Sequence, residues 1–221
     1  DGLYYTTNKG YDWVFAGLEK KYVMQMGTNG PDNIFVYTPE EQGGMFRSTN
    51  GGMTWQEINS NLPQGNINQF LKVTNGFFAA TENGIYRTTD NGVSWIYKGP
   101  FAYRFKYLKA NMNQVIFASS DSRLFRSTNL GDNWEMLDSL GYNIRGFCLS
   151  GNNNVYTLYS NRLYLSSNLG TNWFVTDSTA NYGLITSSED GLLFVTDWEG
   201  VYRSIDNGAN WMQINSGLTF P

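Results

Sequence analysis

A chain of 221 residues with 15% charged and 16% aromatic side chains, 24 glycines and 5 prolines has the profile of many short strands joined by polar turns, not of helices or a disordered tail. A formal net charge of −4 argues against nucleic acid and anionic membrane surfaces, which demand clustered Lys and Arg, and the absence of histidine rules out a histidine metal site or a Ser-His-Asp triad. Cys148 is the one cysteine, so neither a disulfide framework nor a cysteine-rich zinc site can form, and no run of eighteen apolar residues is present to cross a bilayer.

In chain order the predicted elements fall into units of about forty residues. Residues 1–19 hold only a third and a fourth strand. Complete four-stranded units follow over 20–60, 61–100, 101–140, 141–179 and 180–221. In the unit 61–100, strands are expected at 69–73, 76–80, 85–88 and 94–97, with a polar turn before the last.

That turn recurs six times. Six of the seven tryptophans, Trp13, Trp55, Trp95, Trp134, Trp173 and Trp211, are spaced 42, 40, 39, 39 and 38 residues apart. Three residues before each stands a glycine (Gly10, Gly52, Gly92, Gly131, Gly170, Gly208), and five before stands Asn8, Asn50, Asp90, Asn129, Asn168 or Asp206. Seven before stands a hydroxyl residue: Thr6, Ser48, Thr88, Ser127, Ser166 or Ser204. An Asx oxygen can accept backbone N–H groups and close a tight turn, glycine supplies left-handed backbone, and the indole is an apolar plug against the sheet. Asn fills four of the six sites, so the turn needs an acceptor oxygen and not a cation, and the closely spaced ligands of a calcium loop are missing. No metal or cofactor is expected.

Upstream of each turn an aliphatic residue or Met precedes an aromatic: Leu3-Tyr4, Met45-Phe46, Ile85-Tyr86, Leu124-Phe125, Leu163-Tyr164, Val201-Tyr202. Adjacent strand residues point to opposite faces, so both faces of each sheet must be buried, as when sheets stack around an axis. The expectation is an all-β propeller of about six blades, the first incomplete, in one domain over residues 1–221.

With these residues in place the whole chain resembles the Asp-box (BNR, sialidase-like) repeat family. That family includes sialidases, xyloglucan-cleaving glycoside hydrolases, photosystem assembly-factor propellers, sortilin-type receptors and many secreted bacterial surface proteins. The resemblance implies a secreted or cell-surface setting and ligands that meet the face opposite the Asp boxes. There the loops between second and third strands and the connections between blades offer Asp197, Trp198 and Glu199, Tyr103 with Arg104, Tyr142 with Arg145, and Tyr182. Glu40, Glu41, Glu82 and Asp121 lie on the same class of loop. Trp198, the one tryptophan outside a box, reads either as a sugar-stacking platform or as an aromatic covering the edge of the last blade. The tyrosines read as channel packing or as ligand contacts.

For catalysis the resemblance implies a carboxyl pair or, in sialidases, a Tyr nucleophile with an Arg triad. The sialidase Arg-Ile-Pro motif is missing, and Arg47, Arg87, Arg126 and Arg203 share one repeated position, which makes them scaffold. No catalytic residue is assigned. Apart from the Pro39–Gln42 loop, insertions that would wall a substrate cleft are nearly absent. The expected function is therefore a non-catalytic extracellular binding or structural module for a glycan or protein ligand, the alternative being a glycoside hydrolase of the xyloglucanase or sialidase type. Because residues 1–19 lack two strands, the ring is expected to be completed by further sequence of the same polypeptide or by a partner chain. A six-bladed ring would need about twenty more residues and a seven-bladed one about sixty.

Overall fold

The computed structural model of the chain describes residues 2–39, 44–58, 66–100, 103–137, 144–151, 153–178 and 181–218. Among these residues the secondary structure is strand and turn throughout, in one two-stranded and five four-stranded sheets whose strands lie in chain order. The first sheet pairs β1 (Tyr4–Tyr5) with β2 (Val14–Phe15). The second holds β3 (Gln25–Thr28), β4 (Ile34–Thr38), β5 (Gly44–Ser48) and β6 (Gln56–Glu57), and the third β7 (Ile67–Val73), β8 (Gly76–Thr81), β9 (Gly84–Thr88) and β10 (Ile96–Gly99). The fourth holds β11 (Phe105–Ala110), β12 (Ile116–Ser120), β13 (Leu124–Ser127) and β14 (Glu135–Met136). The fifth holds β15 (Ile144–Ser150), β16 (Asn154–Tyr159), β17 (Arg162–Ser166) and β18 (Phe174–Asp177), and the sixth β19 (Leu184–Ser187), β20 (Leu193–Asp197), β21 (Gly200–Ser204) and β22 (Met212–Gln213). No helix among the described residues is long and apolar enough to cross a membrane.

The forty-residue units are thus four-stranded, and residues 1–19 supply a strand pair only. Strand limits shift where local geometry intervenes. β7 starts two residues earlier than the pattern suggests, because a bulge at Asn68 lets Ile67 still pair with Thr81. Trp95 stands just before β10 and not in it, the box turn using those residues.

By compactness the chain divides into residues 1–108 and 109–221. In the first unit one apolar cluster joins Phe35, Tyr37, Met45 and Ile58 of the second sheet to Ile67, Phe77, Ala79 and Trp95 of the third. In the second unit two clusters flank the fifth sheet. Val155 packs with Val115, Phe117, Leu124 and Leu137 of the fourth, while its neighbour Tyr156 packs with Ile185, Leu193 and Val195 of the sixth. Phe147 and Cys148 divide the same way on β15. Adjacent apolar residues on one strand therefore feed two different cores, which is why both are required. Each such side chain stabilises the fold by roughly 1.5–3 kcal/mol through burial.

Candidate functional site

Each sheet has two ends. The end carrying the Asp boxes is a scaffold of closed turns. In all six boxes the Asx Oδ1 accepts the N–H of the fourth residue on, at 2.9 Å. The same oxygen accepts the Ser or Thr hydroxyl at 2.8–3.0 Å. That hydroxyl oxygen in turn accepts the N–H of the box glycine at 2.8–2.9 Å. Asn and Asp make these bonds alike. The remaining Asx atom adapts to its neighbour: Asn50 donates Nδ2–H to Thr54 Oγ1, whereas Asp90 Oδ2 accepts from the Ser94 hydroxyl. Among the described residues no group of three His, Cys, Asp or Glu could hold a metal ion.

The box tryptophans are less uniform than the motif. Trp95 is 5% exposed in the cluster of the third sheet, with Phe70 6.2 Å away centroid to centroid. Trp55 is half-buried and donates its indole N–H to the Ala16 carbonyl at 2.6 Å. Trp13 is 61% exposed and is no plug, because among the described residues its own sheet has two strands and no inner strand for it to lie against.

The opposite end of the sixth sheet gathers polar and aromatic groups. Asp197 and Gly200 pair across the β20–β21 hairpin, leaving Trp198 and Glu199 as a two-residue turn. Asp197 Oδ1 accepts the N–H groups of Glu199 (2.8 Å) and Gly200 (3.1 Å). The Glu199 carbonyl accepts from Asn215 Nδ2 (2.6 Å) and Gln213 Nε2 (3.0 Å), and Asn215 Oδ1 accepts the Val201 N–H (2.8 Å). Gly200 is obligatory here: its φ is +134°, and a Cβ would stand 2.1 Å from Asn215 Oδ1. Glu199 Oε2 accepts the Tyr202 hydroxyl at 3.1 Å, and Tyr182 donates to Asp177 Oδ2 at 3.0 Å. Burial first, then the bond to Asp177 and the nearby acidic groups, holds the Tyr182 phenol well above its ordinary pKa, so it remains a donor. Tyr202 is shifted upward likewise, by desolvation and by Glu199 and Asp197. Above this bonded turn Trp198 is 82% exposed.

Four of the residues expected from the sequence thus come together: Tyr182, Asp197, Trp198 and Glu199. Arg145 does not join them by any contact. It is the unpaired residue of a bulge in β15, exposed and without a hydrogen bond or ion pair among the described residues. Tyr103 and Arg104 belong to the first unit, where the Tyr103 ring meets Phe105 at 6.2 Å and Arg104 forms an ion pair with Glu82. Tyr142, Glu40 and Glu41 lie outside the described residues. Sequence reasoning missed Asp177, Tyr202, Gln213 and Asn215. Asp177 and Asn215 each stand four residues after a box Trp, and that shared position was the available signal. A further cavity of about 530 Å³ in the second unit is lined by Ala110, Asn111, Met112, Leu149, Gly151, Ser188 and Glu189. Two of its polar groups close local turns: Asn111 Oδ1 accepts the Asn113 and Val115 N–H groups, and Ser188 Oγ accepts that of Leu192.

The BNR/Asp-box repeat family matches residues 46–57, the stretch from β5 through the box into β6. Solved structures with a similar fold include the YCF48 and GH74 propellers. YCF48 bound to a D1 peptide matches with TM-score 0.66 at 18% identity, over 87% of this chain and 68% of that one. The GH74 enzyme of Niastella koreensis matches with TM-score 0.67 at 15% identity, over 83% and 36%. The chain has the fold of an Asp-box β-propeller. This Asp-box propeller is also similar to the extracellular domain of the hybrid two-component system BT4673 from B. thetaiotaomicron, with TM-score 0.65 at 15% identity over 82% and 27%. It therefore spans about two thirds of the length of the YCF48 chain and about a third or less of the other two. No curated protein matches it in sequence. At these identities the likeness shows the fold alone.

Proposed function

We propose that this propeller is a non-catalytic binding module of a secreted or cell-surface protein, and that its ligand, a glycan or a protein, docks on the hairpin end of the sixth sheet around Trp198. The observation that carries the reading is the contrast between an 82% exposed indole and the fixed turn beneath it. A rigid turn holding a free aromatic face loses little entropy on binding, and a pyranose or an apolar side chain can stack on it. Asp197 and Glu199 are engaged in holding the turn and Tyr202, which suits positioning better than acid–base work. The extracellular setting is supported by the kind of protein that shares the fold, among them an enzyme of the GH74 type and the extracellular domain of a two-component system. Completion of the first sheet by another segment or a partner chain is part of the same proposal.

The test is a glycan-array screen and a hydrolysis assay on one preparation, with wild type and Trp198→Ala side by side. Trp198→Ala is expected to weaken binding by roughly 1–3 kcal/mol with no turnover in either protein. Unchanged affinity in that variant would remove Trp198 from the site. Turnover that disappears on mutating Asp197 or Glu199 would replace the binding module with a glycoside hydrolase.

A further inference from the structure

Six asparagines in the chain precede a glycine: Asn29, Asn50, Asn75, Asn83, Asn91 and Asn207. Asparagine is among the chemically labile side chains, and a following glycine exposes it most, since no Cβ hinders the glycine nitrogen from reaching the asparagine Cγ. That attack requires a glycine N–H free of any acceptor and open space around it.

Five of the six glycines are held. Gly92 and Gly208 donate to the box hydroxyls of Thr88 and Ser204 at 2.8 and 2.9 Å, and Gly51 donates to the Asp32 carbonyl at 3.1 Å. Gly76 and Gly84 pair with Val73 and Thr81 across two-residue hairpins, which draws their N–H groups into the ladder. Four of these five are also cramped. A Cβ would stand 1.9 Å from the Thr88 carbonyl oxygen at Gly76, 2.6 Å from the Tyr97 ring at Gly84, 2.8 Å from the Phe35 ring at Gly92 and 3.1 Å from Leu163 at Gly208. Gly30 is the exception. It is exposed, its N–H has no hydrogen bond among the described residues, and a Cβ there would meet no atom within 4 Å.

Asn29 opens the β3–β4 hairpin, where its own N–H donates to the Asn33 carbonyl at 2.9 Å. Its side chain links that hairpin to the box of the third sheet, Nδ2 donating to Asn91 Oδ1 at 3.1 Å. Among the described residues that bond alone restrains the carboxamide.

We propose that Asn29 is a site of spontaneous self-modification, at which a neutral link between two sheets becomes a carboxylate. The Gly30 nitrogen loses its proton and bonds to Asn29 Cγ, the Cγ–Nδ2 bond breaks, and ammonia leaves. Water then opens the five-membered imide at either carbonyl, giving aspartate or isoaspartate with no change of oxidation state. Both products lack the donor of the Asn91 bond and carry a negative charge, and isoaspartate also lengthens the main chain by one carbon. The site does not depend on the ligand proposed for Trp198.

The experiment incubates the whole chain at mildly alkaline pH and follows all six Asn-Gly peptides by mass spectrometry with isoaspartate detection, in buffer and in urea. In the folded chain Asn29 is expected to convert about tenfold faster than the other five, since each of those must first give up a hydrogen bond. In urea the six rates should converge. Asn91→Gly keeps the left-handed backbone of that position while releasing the Asn29 carboxamide, so it should speed conversion at Asn29 alone. An Asn29 that stays intact while another pair reacts, box asparagines that convert as fast as Asn29, or the same ranking in urea as in buffer would overturn the proposal.

Discussion

At Ser127 one side-chain oxygen has two duties: it donates to Asn129 Oδ1 at 3.0 Å and accepts the Gly131 N–H at 2.8 Å, in a site where the residue is 1% exposed. Removing it strands a buried N–H. Ser127→Ala is therefore expected to cost about 1–3 kcal/mol in chemical denaturation. Asp90→Asn should stay within about 0.5 kcal/mol, because Asn50 with Thr54 already shows the donor–acceptor pairing that Asn would adopt with Ser94. A larger loss for Asp90→Asn than for Ser127→Ala would invert the roles assigned here. Acid separates the two residue types further. Burial raises the Asp90 pKa, but bonds from Ser94 and Thr88 outweigh it and leave the carboxyl below its ordinary value. Asp206 is lowered chiefly by Asn210. A depressed folded pKa contributes stability above the unfolded value of about 3.9, lost as pH falls through the folded value. Thermal midpoints measured from pH 6 down to acid should therefore fall less steeply in an Asp90→Asn, Asp206→Asn double variant than in wild type.

Elements decide what a motif residue is worth. Trp95 sits between the inner strands of the third sheet and the second sheet, so Trp95→Ala should cost on the order of 3–5 kcal/mol. Trp13→Ala, on the two-stranded sheet, should cost less than about 1 kcal/mol, although the local sequence is the same motif. The β20–β21 hairpin provides a second contrast. Gly200→Ala should destabilise by roughly 1–3 kcal/mol, since the left-handed backbone and the Asn215 bonds cannot both survive a Cβ. Trp198→Ala should leave the denaturation midpoint unchanged within about 0.5 kcal/mol. A clear loss of stability in Trp198→Ala would show that the ring covers the sheet edge.

At the scale of the whole molecule the informative group is Cys148, which is fully buried between the fifth and sixth sheets. Burial pushes its thiol up to about 12, with Lys109 and Ser187 opposing only weakly. A thiol reagent at pH 8 is expected to leave the native chain unlabelled and to react only as fast as the core opens. Above about pH 9 the unfolded thiol ionises while the folded one cannot, so this group erodes stability as pH rises. Rapid labelling of the native protein at pH 8 would mean that the sheets around Cys148 are not packed as described.

The Asp boxes were legible in the sequence because every bond that closes them spans at most four residues, from Ser or Thr to Gly and from Asx to the fourth residue on. The stacking of sheets was legible as well, since adjacent apolar residues such as Phe147 and Cys148 must face two cores. The candidate site was only half visible. Asp177, Tyr182, Asp197, Glu199, Tyr202 and Asn215 are up to 38 residues apart in number, and strand pairing brings them together. Arginines of one repeat position meet different partners for the same reason: Arg47 donates to Asn33, Arg87 lies over the Phe78 ring and Arg126 pairs with Glu135. A motif determines how a turn closes on itself, but burial, charge balance and exposure depend on what lies against the turn, and only the packing of one sheet on the next supplies that.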